Sequence, residues 1–201
     1  GVFDRWELLI AGQPLAQVGV ANGSANPGDI VVSAEAWRLI ADRATGLPLD
    51  NGAVRLTGLA RMLAVEPPPA LVLRPEIATG VRSFVPVAIR GRLDAGQTDW
   101  LGELRRISLM FVNLPDFNVD APLEAAQGAM RALQTALYRF EGSINKISVD
   151  DKGASLIAVL GLPPLSHEDD PERALRAAVA MQEGLTAIGF ISSVGVTTGL
   201  A

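Results

Sequence analysis

Ile144-Asn-Lys-Ile-Ser-Val149, Asp150-Asp-Lys-Gly153 and Leu156-Ile-Ala-Val-Leu160 read together as two apolar strands joined by a turn. The turn carries acidic residues and a glycine, which is the chemistry of a β-hairpin. Working outward, Ile107-Ser-Leu-Met-Phe-Val112 is another buried strand. Between it and the hairpin, Leu123, Ala126, Met130, Leu133, Leu137 and Phe140 recur at helical spacing along one stripe. Asp120 and Pro122 open that helix and Gly142 ends it. Beyond the hairpin, Asp170 before Pro171 reads as a cap followed by a first-turn proline. Ala174, Val179, Met181 and Leu185 carry a second helix to Gly184 or Gly189, and Ile191 to Thr197 is a last strand. The order β-α-β-β-α-β predicts an α+β, ferredoxin-like antiparallel sheet with two helices on one face. That fold hosts many functions and decides none.

Upstream, Trp6 to Ile10 reads as a buried strand closed by Gly12 and Pro14, and Leu15 to Ala21 as a short helix stopped by Gly23. Pro27-Gly28-Asp29 turns into a strand, Ile30 to Ser33, whose Ser33 is placed to cap a helix over Ala34 to Arg43. Val54 to Thr57 and Ala60 to Val65 flank Gly58 and read as a hairpin or a bent strand. Pro67, Pro68, Pro69, Pro75 and Pro86 mark a linker over 67–104. Its apolar Leu71-Val-Leu73, Phe84, Val85, Val87 and Ile89 suit it to lie against a domain surface.

The chain has 201 residues, 49% of them hydrophobic and 19% charged, a composition that folds into an ordinary globular protein. A net charge of -5 without a basic run argues against nucleic acid or an anionic membrane as partner. The lack of cysteine excludes disulfides and thiolate zinc, and the cytoplasm is the expected location. No apolar run reaches the ~18–20 residues of a spanning helix, so no membrane segment is expected. The chain begins with Gly1 and stops directly after an apolar strand, which reads as a piece of a longer protein.

Arg106-Ile-Ser-Leu-Met-Phe-Val-Asn-Leu-Pro-Asp-Phe117 resembles the opening strand of a class III nucleotidyl cyclase homology domain. Gly142-Ser-Ile-Asn-Lys-Ile147 through Gly153 to Ala158-Val-Leu-Gly-Leu-Pro163 is similar to its central hairpin. His167-Glu-Asp-Asp-Pro-Glu-Arg-Ala-Leu175 and Val194-Gly-Val-Thr-Thr-Gly199 resemble the helix start and strand that follow. Arg5-Trp-Glu-Leu-Leu-Ile-Ala-Gly12-Gln13-Pro14, with Pro27-Gly-Asp-Ile-Val-Val-Ser33 and Ala36-Trp37, is similar to the closing part of a first such domain. Trp100-Leu-Gly-Glu-Leu-Arg105 is similar to the end of an interdomain connection. The subgroup is that of soluble, bicarbonate-responsive-type adenylate cyclases. The resemblance therefore implies three parts: 1–66 from the end of a first cyclase domain, 67–104 as connection, and 105–201 from the start of a second. It also implies that the N-terminal strands complete the second sheet in permuted order, or between two copies as a swapped homodimer.

The family cyclises ATP to cyclic AMP and pyrophosphate with two Mg2+ or Mn2+ ions held by aspartates, because hard cations need anionic oxygens. At the matching positions stand Asn113 and Ala154, so no metal site and no catalytic residue is expected within this chain. The metal ions, ATP and the complementary cyclase half-domains belong to the parent. Ala16 and Val20 fall at the positions of the family's transition-state residues, and neither stabilises phosphoryl charge. Lys146 matches the lysine that reaches adenine; read without the resemblance it is a solvated strand lysine. Gly19 replaces the arginine that binds bicarbonate, and Val149 and Asp150 fall where that pocket would be lined.

Other features have plainer readings. His167-Glu-Asp-Asp170 suits the positive end of a helix better than a metal, Asp150 and Asp151 a turn, and Asp116 a loop or cap. Trp6, Trp37 and Trp100 suit core or domain contacts. A degenerate cyclase-like scaffold that binds nucleotide or partners without chemistry is the alternative, and a ferredoxin-like sensor unrelated to cyclases a third.

Overall fold

The computed structural model describes residues 1–60, 67–70, 72, 74–97, 104–117, 120–150 and 152–201. They form two compact units, one of Gly1–Ile10 with Leu73–Ala201 and one of Ala11–Val72.

In the larger unit the chain runs through α3 (Pro75–Arg82), α4 (Val87–Asp94), β4 (Arg106–Leu114), α5 (Leu123–Tyr138), β5 (Ser143–Asp150), β6 (Gly153–Leu160), α6 (Asp170–Thr186) and β7 (Ser193–Leu200). The four strands pair in the order β5-β6-β4-β7, every neighbour antiparallel. From β4 onward this is the ferredoxin-like arrangement the sequence predicts. On β4 the even residues Ser108, Met110, Val112 and Leu114 are buried, as are Ala154, Leu156, Ala158 and Leu160 on β6. They meet Ala126, Met130, Leu133 and Leu137 of α5 and Ala174, Ala177, Met181 and Leu185 of α6, residues that recur at helical spacing and are likewise buried. The odd residues of β4 face away from the helices, and Phe111 there is 51% exposed.

The smaller unit holds α1 (Gln13–Gly23), β1 (Val31–Val32), α2 (Ala34–Ile40), β2 (Ala44–Pro48) and β3 (Val54–Leu59). Its strands form a separate sheet in the order β1-β3-β2. Ser33 caps α2 as expected, its Oγ accepting from the Ala36 amide at 3.2 Å. β3 pairs with β2 across a turn at Asn51 and Gly52, and with β1 on its other side. The second expected arm after Gly58, Ala60 to Val65, lies outside the described residues except for Ala60.

Two expectations need correction. Within one chain the N-terminal strands do not extend the four-stranded sheet in permuted order, because β3 takes both β1 and β2 as its partners. Trp6 to Ile10 joins no ladder: it is extended, with Glu7 and Leu9 turned inward and Trp6, Leu8 and Ile10 outward. The linker contains α3 and α4, with Pro75 in the first turn of one and Pro86 capping the other, the positions where a missing N–H costs nothing. Arg82 and Asp94 tie the two helices at 2.7 Å. No helix among the described residues is long and apolar enough to cross a membrane.

Candidate functional site

Register decides which residues share the open face of the four-stranded sheet. Asn113 pairs with Ser155 on one side and Ser193 on the other, and Ser155 pairs with Ser148. The next row runs Lys146, Ile157, Phe111 and Gly195. Lys146 and Asn113 therefore occupy adjacent rows of one face, two strands apart.

Lys146 reaches that face through a bulge. Ile144 pairs with Ala158 and Lys146 with Ile157, so Asn145 is the extra residue between two register steps. Without it Lys146 would share the helix-covered side with Ile144, since side chains alternate along a strand. The bulge turns Lys146 outward, where it is exposed, and lets Ile147 and Val149 point inward after it.

Asn113 and Ala154 lie on neighbouring strands one step apart, Asn113 opposite Ser155 and Ala154 opposite Leu114. Their side chains take opposite faces. Asn113 is half-buried on the open side, while Ala154 is buried beside Leu114, Phe117, Met130 and Leu133 around a small apolar cavity. An amide and a methyl group offer a divalent cation no anionic oxygen, so these two residues do not fit the metal pair of the family. Among the described residues no group of three or more His, Asp or Glu is placed to hold a metal ion.

Asp150 accepts from the Lys152 amide at 2.8 Å and so shapes the turn, and Val149 is buried on the helix side. Asp151 lies outside the described residues, and Asp116 is exposed in the turn after β4. Gly19, Ala16 and Val20 sit on α1 in the other unit, with Val20 exposed and the other two half-buried.

The acidic run before α6 is structural, but not as a simple cap. Asp170 is the first residue of the helix, buried, and its Oδ2 accepts from the backbone N–H of His167 at 2.8 Å. His167 Nε2 lies 3.1 Å from Glu141, which also accepts from Arg173 at 3.0 Å, so these residues tie the end of α5 to the start of α6. Trp6 packs on Phe84, Trp37 stands against Gly46, and Trp100 lies outside the described residues.

Sequence reasoning missed Ser148, Ser155, Ser193 and Phe111 as companions of Asn113 and Lys146. Alternation counted outward from Asn113 finds Phe111. The inward pair Ile144, buried, and Ile147, half-buried, three apart in a strand that otherwise alternates, is the trace the bulge leaves in the sequence.

No family model matches the chain. Adenylate cyclase type 10 of Homo sapiens is 27% identical over 96% of the chain, and that of Oryctolagus cuniculus 27% over 98%. The chain is similar to the class III nucleotidyl cyclases. It spans 14% of the length of these relatives. Among solved structures, a bacterial light-regulated adenylyl cyclase covers 62% of the chain and is itself covered to 40%, at 10% identity and a TM-score of 0.50. That likeness concerns the fold alone. The class III resemblance carried by the residues around Asn113 and the hairpin thus extends over nearly the whole chain.

Proposed function

We propose that the chain is an internal stretch of an adenylate cyclase: 1–66 from the end of a first cyclase domain, 67–104 the connection, and 105–201 the start of a second. The observation that carries this reading is the match to adenylate cyclase type 10 over 96% of the chain. In it the four-stranded sheet supplies the base-recognising side of a nucleotide site, with Lys146 donating to an adenine ring nitrogen. Metal-holding carboxylates and the groups that stabilise the transition state come from cyclase half-domains outside this stretch, and the parent works in the cytoplasm with Mg2+ or Mn2+. Alone, the chain makes no cyclic AMP. Two copies that exchange N-terminal strands are a further part of this reading, since β7 and β5 are sheet edges with one neighbour each.

The test is equilibrium binding of ATP and GTP to the purified chain and to Lys146→Ala. Preference for ATP that falls about tenfold or more in the variant is the expected result, the loss of one hydrogen bond to a charged donor. No preference in the wild type, or one that Lys146→Ala leaves intact, rejects the role of Lys146.

A second reading is a cyclase-like scaffold that binds nucleotide without chemistry. Asn113 and Ala154 favour it, because a degenerate domain would lose these carboxylates first. Cyclic AMP production by the full-length parent decides between the two.

A further inference from the structure

The first ten residues belong to the larger unit, although the whole of 11–72 separates them from it in sequence. After a turn at Phe3 and Asp4 closed by Val2 and Arg5, residues 6–10 lie against it in extended form. Arg5 is buried to 4% exposure, its guanidinium 4.7 Å from the centre of the Tyr138 ring and 3.1 Å from Glu7. The Glu7 carboxylate accepts from the Tyr138 hydroxyl at 2.7 Å. Leu9 enters the apolar cavity lined by Phe117, Met130, Leu133 and Ile147. Between these inward residues the Trp6 amide donates to the Ser83 carbonyl at 2.9 Å, and the Trp6 ring meets Phe84.

These are the elements of peptide recognition: the Arg5–Glu7 pair is read by the ring and hydroxyl of Tyr138, Leu9 by an apolar pocket, and a main-chain hydrogen bond fixes the register. The contact is not saturated, since Arg5 Nε is buried without a partner. A buried donor left unmatched lowers the affinity of the arm for its groove.

We propose that the groove formed by α5, the β5–β6 hairpin and the segment around Ser83 is a recognition site for an extended Arg-x-Glu-x-Leu peptide. Here the chain's own arm, Arg5 to Leu9, fills it, and the same arm of a second copy is its occupant in trans. The tethered arm competes at an effective concentration of roughly millimolar, so the site is masked in the intact chain.

The experiment titrates a fluorescent peptide of residues 1–12 into the wild-type chain and into a full-length variant whose own arm is disabled by Arg5→Ala, Glu7→Ala and Leu9→Ala. The variant binds at least about tenfold more tightly than the wild type, and adding Tyr138→Phe to it weakens binding about tenfold. Equal affinity in wild type and variant, or indifference to Tyr138→Phe, overturns the proposal. Trypsin acting on the wild type gives a readout that needs no variant. Cleavage after Arg5 is at least about tenfold slower than after Arg38 or Arg43, whose side chains are 71% and 63% exposed. Equal rates show an arm that does not dock and reject the site.

Discussion

The two units build their secondary structure by different means. Residues 73–201 bury Met110, Val112, Leu137, Leu156, Met181 and Leu185 almost wholly between two long helices and a sheet. Among the described residues of 11–72 the buried hydrophobics are Ala21, Ala44, Ala53 and Val54, whereas Ile30, Leu39 and Leu59 stand exposed. Each large apolar side chain fully buried contributes about 1.5–3 kcal/mol, so the larger unit rests on its core. The smaller one rests on local devices: the Ser33 cap, the turn at Gly52 and the Asp29 carboxylate bonded to the Asn26 amide. Elements can be specified locally without a large core to hold them.

Substitution tests that contrast directly. Leu137→Ala costs about 2–5 kcal/mol, as removal of a wholly buried side chain leaves a cavity. Leu39→Ala, at a residue 80% exposed, changes stability by no more than about 0.5 kcal/mol. Urea denaturation followed by circular dichroism measures both, and comparable losses would erase the distinction. Gly153→Ala costs about 1–3 kcal/mol, because Gly153 has φ 108° and an added Cβ would overlap the Leu114 carbonyl. Ser33→Ala costs about 1 kcal/mol and loosens only the smaller unit. Amide exchange should rise at Ala36 and stay unchanged at Leu156; a rise at both would mean that the units unfold together.

The smallest effect concerns Tyr138, the one tyrosine of the chain, which absorbance near the tyrosinate band therefore reports alone. Burial first, then the hydrogen bond to Glu7, push its hydroxyl well above the ordinary range. The group is bound neutral in the folded state, so its contribution to stability is complete below about pH 10 and is lost as pH rises through the folded value. Glu7→Gln brings the titration downward. An unchanged titration would remove Glu7 from the arm contact.

Periodicity made the larger unit legible. The apolar runs of β4, β5 and β6 and the stripes of α5 and α6 carry their own signals, and most stripe residues reach the core, but Leu123 and Val179, which the stripes also name, are exposed. The arm was not legible, because Trp6 to Ile10 has the apolar character of a strand while its partners, Tyr138 and Ser83, lie far away in sequence. Ala44 to Pro48 was hidden by Gly46 and Pro48, weak strand formers that pair only because β3 is beside them. Within 67–104, Pro75 begins α3 and Pro86 caps α4. At the candidate site the class III resemblance, and not residue type alone, pointed to Lys146, Asn113 and Ala154. The orientation of Lys146 depended on the bulge at Asn145, which turns outward a side chain that strict alternation from Ile144 would have placed inside.

Whether this stretch can hold a divalent ion at Asn113 and Ala154 is the direct question, and paramagnetic broadening by Mn2+ in the presence of ATP answers it. The account predicts that the amide signals of Asn113 and Ala154 broaden no more than those of exposed residues elsewhere. Selective broadening centred on those two positions would contradict it.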